Sequence, residues 1–209
     1  LSKTRKYGGL AHLNARAEPR WTGEIRLHDE VVDEPRRWKR PRLVFVNSMS
    51  DLFHEQVPAD FIRRIFDVMN DCPQHTFQIL TKRPGIALSH ARTLRWGENI
   101  WMGTSIEDDT KTPRADELRE IPAQVRFLSL EPLLAPLPSL DLNGIDWVIV
   151  GGESGPGARE IKAEWVRDLR DRCATLGVPF FFKQWGGRLK SRNGRELDGR
   201  TWDQLPILA

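Results

Sequence analysis

Six short apolar runs recur along the chain, each ending in polar or charged residues: Leu43–Asn47, Thr76–Leu80, Ile100–Thr104, Val125–Leu130, Trp147–Val150 and Pro179–Phe182. Runs this short, apolar at nearly every position, predict strands buried on both faces. Stretches of helical periodicity lie between most of them. Residues 58–70 place Phe61, Ile62, Ile65, Phe66 and Met69 at helical spacing, and 85–94 is a second helix. Residues 112–121 open with Pro113, and 163–175 carry Trp165, Val166, Leu169 and Cys173 on one face before Gly177. Proline suits the first turn of a helix and glycine its end.

Alternation of strand and helix implies a parallel sheet with right-handed crossovers. An open doubly wound sheet concentrates its chemistry at one switch point, whereas a barrel turns every strand end toward one centre. Polar clusters follow all six runs, so the expected fold is α/β, a partial (β/α) barrel with about six parallel strands. Residues 132–144 break the rhythm with prolines at 132, 136 and 138. They predict a loop, placed to cover the site.

The flanks are less regular. Residues 1–42 form a basic segment with breakers at Gly8-Gly9 and Pro19, a helical-looking start at Leu1–Arg5 without a cap, and a short strand at 24–28. That uncapped start predicts further residues upstream. Trp38, between Pro35 and Pro41, is expected to anchor the segment to the core. Residues 1–187 read as one barrel domain, and 188–209 as a polar tail packed on it, with turns at Asn193-Gly194 and Asp198-Gly199.

Composition changes this picture little. The 209 residues are 39% hydrophobic and 29% charged, as in an ordinary globular domain. No apolar run approaches the roughly 20 residues of a membrane span, and no signal-peptide pattern opens the chain, so a cytoplasmic location and no membrane partner are expected. The net charge of +3 is unevenly spread: residues 1–42 carry +5, residues 183–200 carry +4, and the rest −6. Basic ends point to nucleic acid as a partner, or to a solvated surface. Two cysteines, Cys72 and Cys173, exclude a disulfide framework and read as reduced core residues. Among His12, His28, His54, His75 and His90 no pair has zinc-ligand spacing on one helix.

Candidate chemistry sits at the strand ends. Asn47, Ser48, Ser50 and Asp51, with His54 nearby, could hold an amine, a ribose or a metal, or form a turn. Lys82 and Arg83 could receive a carboxylate or phosphate. Ser105 follows the third run. Glu107, Glu131 and Glu153 could share a metal or an amine, or act as acid and base; they could equally pair with Lys82, Arg83 and Lys183. Gly151 and Gly152 could let a ligand approach the backbone, but the stretch matches neither the P-loop nor the dinucleotide fingerprint. Lys183, Gln184 and Trp185 close the series. Trp147 and Trp165 read as core, whereas Trp185 is placed to line a pocket.

Five stretches together resemble one family: 44–54 (VFVNSMSDLFH), 74–84 (QHTFQILTKRP), 147–155 (WVIVGGESG), 180–186 (FFFKQWG) and 197–202 (LDGRTW). They are similar to the phage gene-product thirty-seven/sixty-eight family, which carries a three-cysteine motif. That family resembles radical S-adenosylmethionine enzymes, with a partial barrel distantly like that of spore photoproduct lyase. The resemblance implies a [4Fe–4S] cluster at the barrel mouth and S-adenosylmethionine as cofactor, serving radical chemistry on a substrate that includes nucleic acid as a candidate. It places Ser48–Asp51 at the methionine amine, Ser105 and Glu107 at the ribose or carboxylate, and Glu131 with Gly151–Glu153 near the adenine or the substrate, with Asn47 and Lys82 also binding the cofactor. His54, Arg83, Lys183, Gln184 and Trp185 would face substrate. The family's cysteine motif, roughly C-x6-C-x2-C, is absent, and Cys72 and Cys173 do not match it. Leu1-Ser2-Lys3 resembles the part just after the motif, so the chain is either truncated, with the first barrel strand also missing, or a degenerate copy, and alone it would be inactive. Two other readings stay open: a noncatalytic nucleotide- or nucleic-acid-binding module, and a metal-dependent hydrolase using Asp51, Glu107, Glu131 and Glu153.

Overall fold

The structure, a computed structural model, describes residues 10–13, 19–188 and 193–206. Along them lie β1 (Ala11–Leu13), β2 (Pro19–Trp21), α1 (Asp29–Val32), β3 (Leu43–Val46), α2 (Ala59–Asn70), β4 (Thr76–Thr81) and α3 (Pro84–Ala91). Then follow β5 (Ile100–Ser105), α4 (Pro113–Arg119), β6 (Val125–Leu130), β7 (Trp147–Gly151), α5 (Ala163–Leu176) and β8 (Phe180–Gln184). The expected helix at Leu1–Arg5 lies outside the described residues.

β3 to β8 form one parallel sheet whose spatial order is their chain order. Each crossover therefore steps to the next strand in the same direction, and the six strands curl into a half-barrel with interleaved helices. A doubly wound sheet would reverse its order at a switch point. Both faces of the sheet are apolar. Phe77, Ile79, Ile100, Met102, Leu128, Val148 and Phe180 face the helices and join the main core. The alternate positions Leu80, Trp101, Phe127, Trp147, Ile149 and Phe181 form a second, largely aromatic cluster on the concave face. Gly103 belongs to that face, where a Cβ would stand 2.4 Å from the Phe127 ring.

The helix caps follow the sequence signals. α2 buries Ile62, Phe66, Val68 and Met69. α5 ends at Gly177 in the left-handed region (φ 69°), which lets the Val178 amide bond the Cys173 carbonyl.

Two expectations are corrected. Residues 24–28 form no strand: no neighbouring strand offers them a ladder among the described residues, and the short antiparallel pair β1–β2 stands just before them. The loop 132–144 is no lid. Leu133, Leu137, Leu140 and Leu142 are buried in the main core, and the carbonyls of Leu137 and Leu140 accept from Arg172 on α5. Those of Asp141 and Asn143 accept from Arg119 on α4. Prolines forbid the helix, and arginines from its two neighbours satisfy the backbone instead. Only the first residues of this loop touch the rim, where the Leu133 and Leu134 amides bond the Gly151 and Glu107 carbonyls.

Trp38 meets His75 edge-on at 5.5 Å, which ties the basic segment to the sheet. At the opposite side the tail covers the β8 edge. The Phe182 amide bonds the Trp202 carbonyl, the Gln204 amide bonds that of Phe180, and Trp147 Nε1 donates to the Gln204 carbonyl.

Candidate functional site at the barrel mouth

Continuing the inward-facing register past the strand ends gives one arc. Lys82 follows β4, Ser105 ends β5 with Glu107 two residues on, and Ser129 lies in β6 with Glu131 two residues on. Gly151 ends β7, and Lys183 lies in β8. Period-two alternation puts all of them on the concave side, and Ser105 pairs with Ser129 across β5 and β6. Both serines are buried, so they form the floor of the mouth.

The arc is charged in the order plus, minus, minus, plus. Lys82 Nζ pairs with Glu107, whose other oxygen accepts from Arg114 at 3.0 Å. Lys183 Nζ donates to Glu131 at 2.8 Å, and Gln184 Nε2 to its second oxygen at 3.1 Å. Both lysine side chains are about half exposed, at 55% and 52%. Burial raises the Glu107 carboxyl, but the bond and charge of Lys82 and the charge of Arg114 outweigh it, so the group lies below its ordinary value. A Cβ at Gly151 would come within 3.2 Å of the Glu131 carboxyl carbon, so glycine there leaves that carboxylate its place.

Several other candidates bond within the frame around the arc. Asp51 accepts from the Phe53 amide, Thr81 Oγ1, the Lys82 amide and Arg83, which welds the loop after β3 to the end of β4. Arg83 also holds Glu55, and His54 Nδ1 caps the amide of Gln56. Asn47, Ser48, Ser50, Asp51 and His54 line a cavity of about 640 Å³ beside β3, shared with Ile25, Val31 and Phe61.

Glu153 is clamped by Arg159 through both oxygens and through the Arg159 amide, and these bonds pull its carboxyl down to about 2. Gly152 serves packing rather than ligand approach. A Cβ there would stand 2.0 Å from the Trp185 carbonyl oxygen, and one at Gly186 would stand 2.1 Å from that of Glu153. Trp185 stacks edge-on against Phe182 at 4.7 Å and donates to the Glu196 carbonyl, so it anchors the tail.

Each of the three glutamates thus pairs with basic side chains. Among the described residues there is no group of three or more His, Cys, Asp or Glu that could hold a metal ion. No helix among them is long and apolar enough to cross a membrane. Three partners escaped the sequence reading. Arg114 and Arg159 gave no signal, since only folding brings them to Glu107 and Glu153. Ser129 did give one: it shares strand parity with Phe127 and Glu131.

No curated protein and no solved structure matches the chain. Residues 3–206 match the model of a family described as a protein of unknown function, DUF5131. The match spans nearly the whole length, and the chain therefore belongs to DUF5131, the family of the phage gene-product thirty-seven/sixty-eight type.

Proposed function

We propose that the mouth of the half-barrel binds a nucleoside-linked amino acid of the S-adenosylmethionine kind. The observation that carries this reading is the arc of Lys82, Glu107, Glu131 and Lys183 over the Ser105 and Ser129 hydroxyls. A zwitterionic amino acid needs a cation for its carboxylate and an anion for its ammonium, and the arc supplies both within one rim. Ribose hydroxyls suit the carboxylates and the two serines. Ile149 and Phe181, partly buried on the concave face, offer an apolar surface for a purine.

Bound S-adenosylmethionine would supply an activated sulfonium centre. The chain's own residues bind and orient. Lys82 and Lys183 are half exposed, while their glutamates are only 11% and 20% exposed; Glu107 keeps Arg114 and Glu131 keeps Gln184, so either lysine can turn to a ligand carboxylate without leaving its glutamate unpartnered.

The cluster does not fit. A [4Fe–4S] centre takes cysteine thiolates, and the two cysteines lie far from the mouth in chain and fold. Cys72 is buried ahead of the start of β4, where burial raises its thiol. Cys173 is buried on α5, and burial pushes its thiol up to about 12. The proposal therefore contains no cluster chemistry by these residues and favours binding.

Isothermal titration calorimetry tests it. S-adenosylmethionine should give saturable heat, with methionine and adenosine each binding more weakly. Absence of saturable heat up to about 1 mM, a Kd worth only about 4 kcal/mol, sinks the proposal.

A further inference from the structure

Residues 36–42 read Arg-Arg-Trp-Lys-Arg-Pro-Arg, five cations in seven positions. Many arginines elsewhere in the fold find carboxylates: Arg83 with Asp51 and Glu55, Arg114 with Glu107, Arg159 with Glu153, Arg167 and Arg170 with Asp198, Arg195 with Asp203. Those that do not, such as Arg63, Arg92 and Arg188, are scattered singly, whereas residues 37–42 gather four cations. Within the run only Arg36 does so, with Asp33 and Asp71. Arg37, Lys39, Arg40 and Arg42 are exposed, and none of them pairs with a carboxylate among the described residues. Four like charges held this close repel one another, and among the described residues no carboxylate pairs with any of them.

The run is also held in shape. A 3-10 turn at Glu34–Arg37 leads into it, and Arg36 fixes one end. The Arg42 guanidinium lies over the Trp38 ring at 4.6 Å, and His75 backs that ring. The Arg42 carbonyl accepts from the Thr76 amide, so the run ends at the start of β4. That is the end of the sheet opposite the mouth. Six residues of β4 put the two about 20 Å apart.

We infer that residues 37–42 form a binding surface for the phosphodiester backbone of single-stranded nucleic acid, separate from the mouth. Five residue steps span at most about 16 Å, which sets the four cations within reach of neighbouring phosphates. Because the backbone is already fixed, binding loses little chain entropy. No base edge is read by these residues, so recognition is independent of sequence. This surface is independent of the ligand proposed at the mouth.

Fluorescence anisotropy with a labelled 20-nucleotide mixed-sequence single strand, as DNA and as RNA, tests it between 50 and 300 mM NaCl. Four phosphate contacts predict that log K falls with log salt at a slope of about −3. The triple variant Arg37→Glu, Lys39→Glu, Arg40→Glu should weaken binding about 30-fold or more at the lowest salt. The control Arg63→Glu, Arg92→Glu, Arg188→Glu changes net charge equally at exposed positions elsewhere and should cost far less. All six sites are exposed, and matching circular dichroism spectra would show that both variants fold. Equal losses in the two triples, or no binding by the unaltered chain, overturn the inference. So does binding to phosphatidylglycerol vesicles with none to either strand, which would make the surface a membrane contact.

Discussion

Asp51 and Glu131 both stand just past a strand of the same half-barrel, and both are carboxylates partly open to solvent, yet they are held in opposite ways. Two of the four donors to Asp51 are backbone amides, those of Phe53 and Lys82. Such donors cannot leave without moving the chain. Both donors to Glu131 are side chains, Lys183 and Gln184, and these can swing away. A carboxylate held by the backbone is part of the frame, whereas one held by mobile side chains is open to exchange with a ligand. The loop after β7 belongs with Asp51: Glu153 takes the Arg159 amide, and Gly152 is pressed against the chain at Trp185.

The largest effect that would test this division is at Gly152. Alanine there would put its Cβ 2.0 Å from a carbonyl oxygen and within 2.9 Å of Ile161, and backbone cannot yield as a side-chain tip can. Overpacking of this kind costs about 3 kcal/mol or more. Gly152→Ala should lower the urea midpoint sharply. A variant as stable as the parent would mean that the crossing with the 185–187 segment is loose and that Gly152 is free for a ligand after all.

Next comes Asp51→Ala. It removes a charged acceptor from Thr81, Arg83 and two amides in a part-buried loop. Hydrogen bonds to charged groups are worth about 1.5–3 kcal/mol each, but partial exposure and overlap limit the sum, so a loss of about 2–3 kcal/mol is expected. Ligand binding by the folded variant should change little. A stable Asp51→Ala that no longer binds S-adenosylmethionine would reverse the assignment and return the loop after β3 to the site.

Glu131→Gln should do the opposite. The side chain keeps its shape, Gln184 still has an oxygen to bond, and the exposed Lys183 returns to water. Stability should move by less than about 1 kcal/mol. Binding of S-adenosylmethionine should fall at least about tenfold, or 1.4 kcal/mol. Calorimetry beside a melting curve separates the two effects, and a drop in stability with binding intact would place Glu131 with the frame.

The same division marks what could be read along the chain. The six strands were legible because each is an apolar run closed by polar residues, and the order of the sheet followed from the regular alternation with helices. The arc was legible as residue types, since Lys82, Ser105, Glu107, Glu131 and Lys183 all stand at strand ends. Their standing against Asp51, Glu153 and Gly152 was not. It depends on partners that only the fold supplies: Thr81 for Asp51, thirty positions away, and Trp185 for Gly152, thirty-three away. The chain at 132–144 looked like a lid because prolines announce a loop. Its place in the outer layer came from Arg119 and Arg172, whose reach across the chain no periodicity shows.

The smallest effect lies at Glu153, and it tests whether that carboxylate belongs to the frame in solution. Its hydrogen bonds from the Arg159 side chain and amide lower the carboxyl from 4.5 to about 2 in the folded chain. Between those values the unfolded chain binds the extra proton and the folded chain does not. The pair's contribution to stability is therefore complete above pH 4.5 and is lost as pH falls toward 2. Arg159 is 61% exposed, so water screens the pair and the loss should stay below about 1 kcal/mol. Carbon-13 NMR of the Glu153 carboxyl should show titration near 2 in the parent and closer to 4.5 in Arg159→Ala. The variant should also lose its share of the stability difference between pH 6 and pH 3. A Glu153 that titrates near 4.5 in both would free this carboxylate from the frame and place it beside Glu131 as a group the mouth can use.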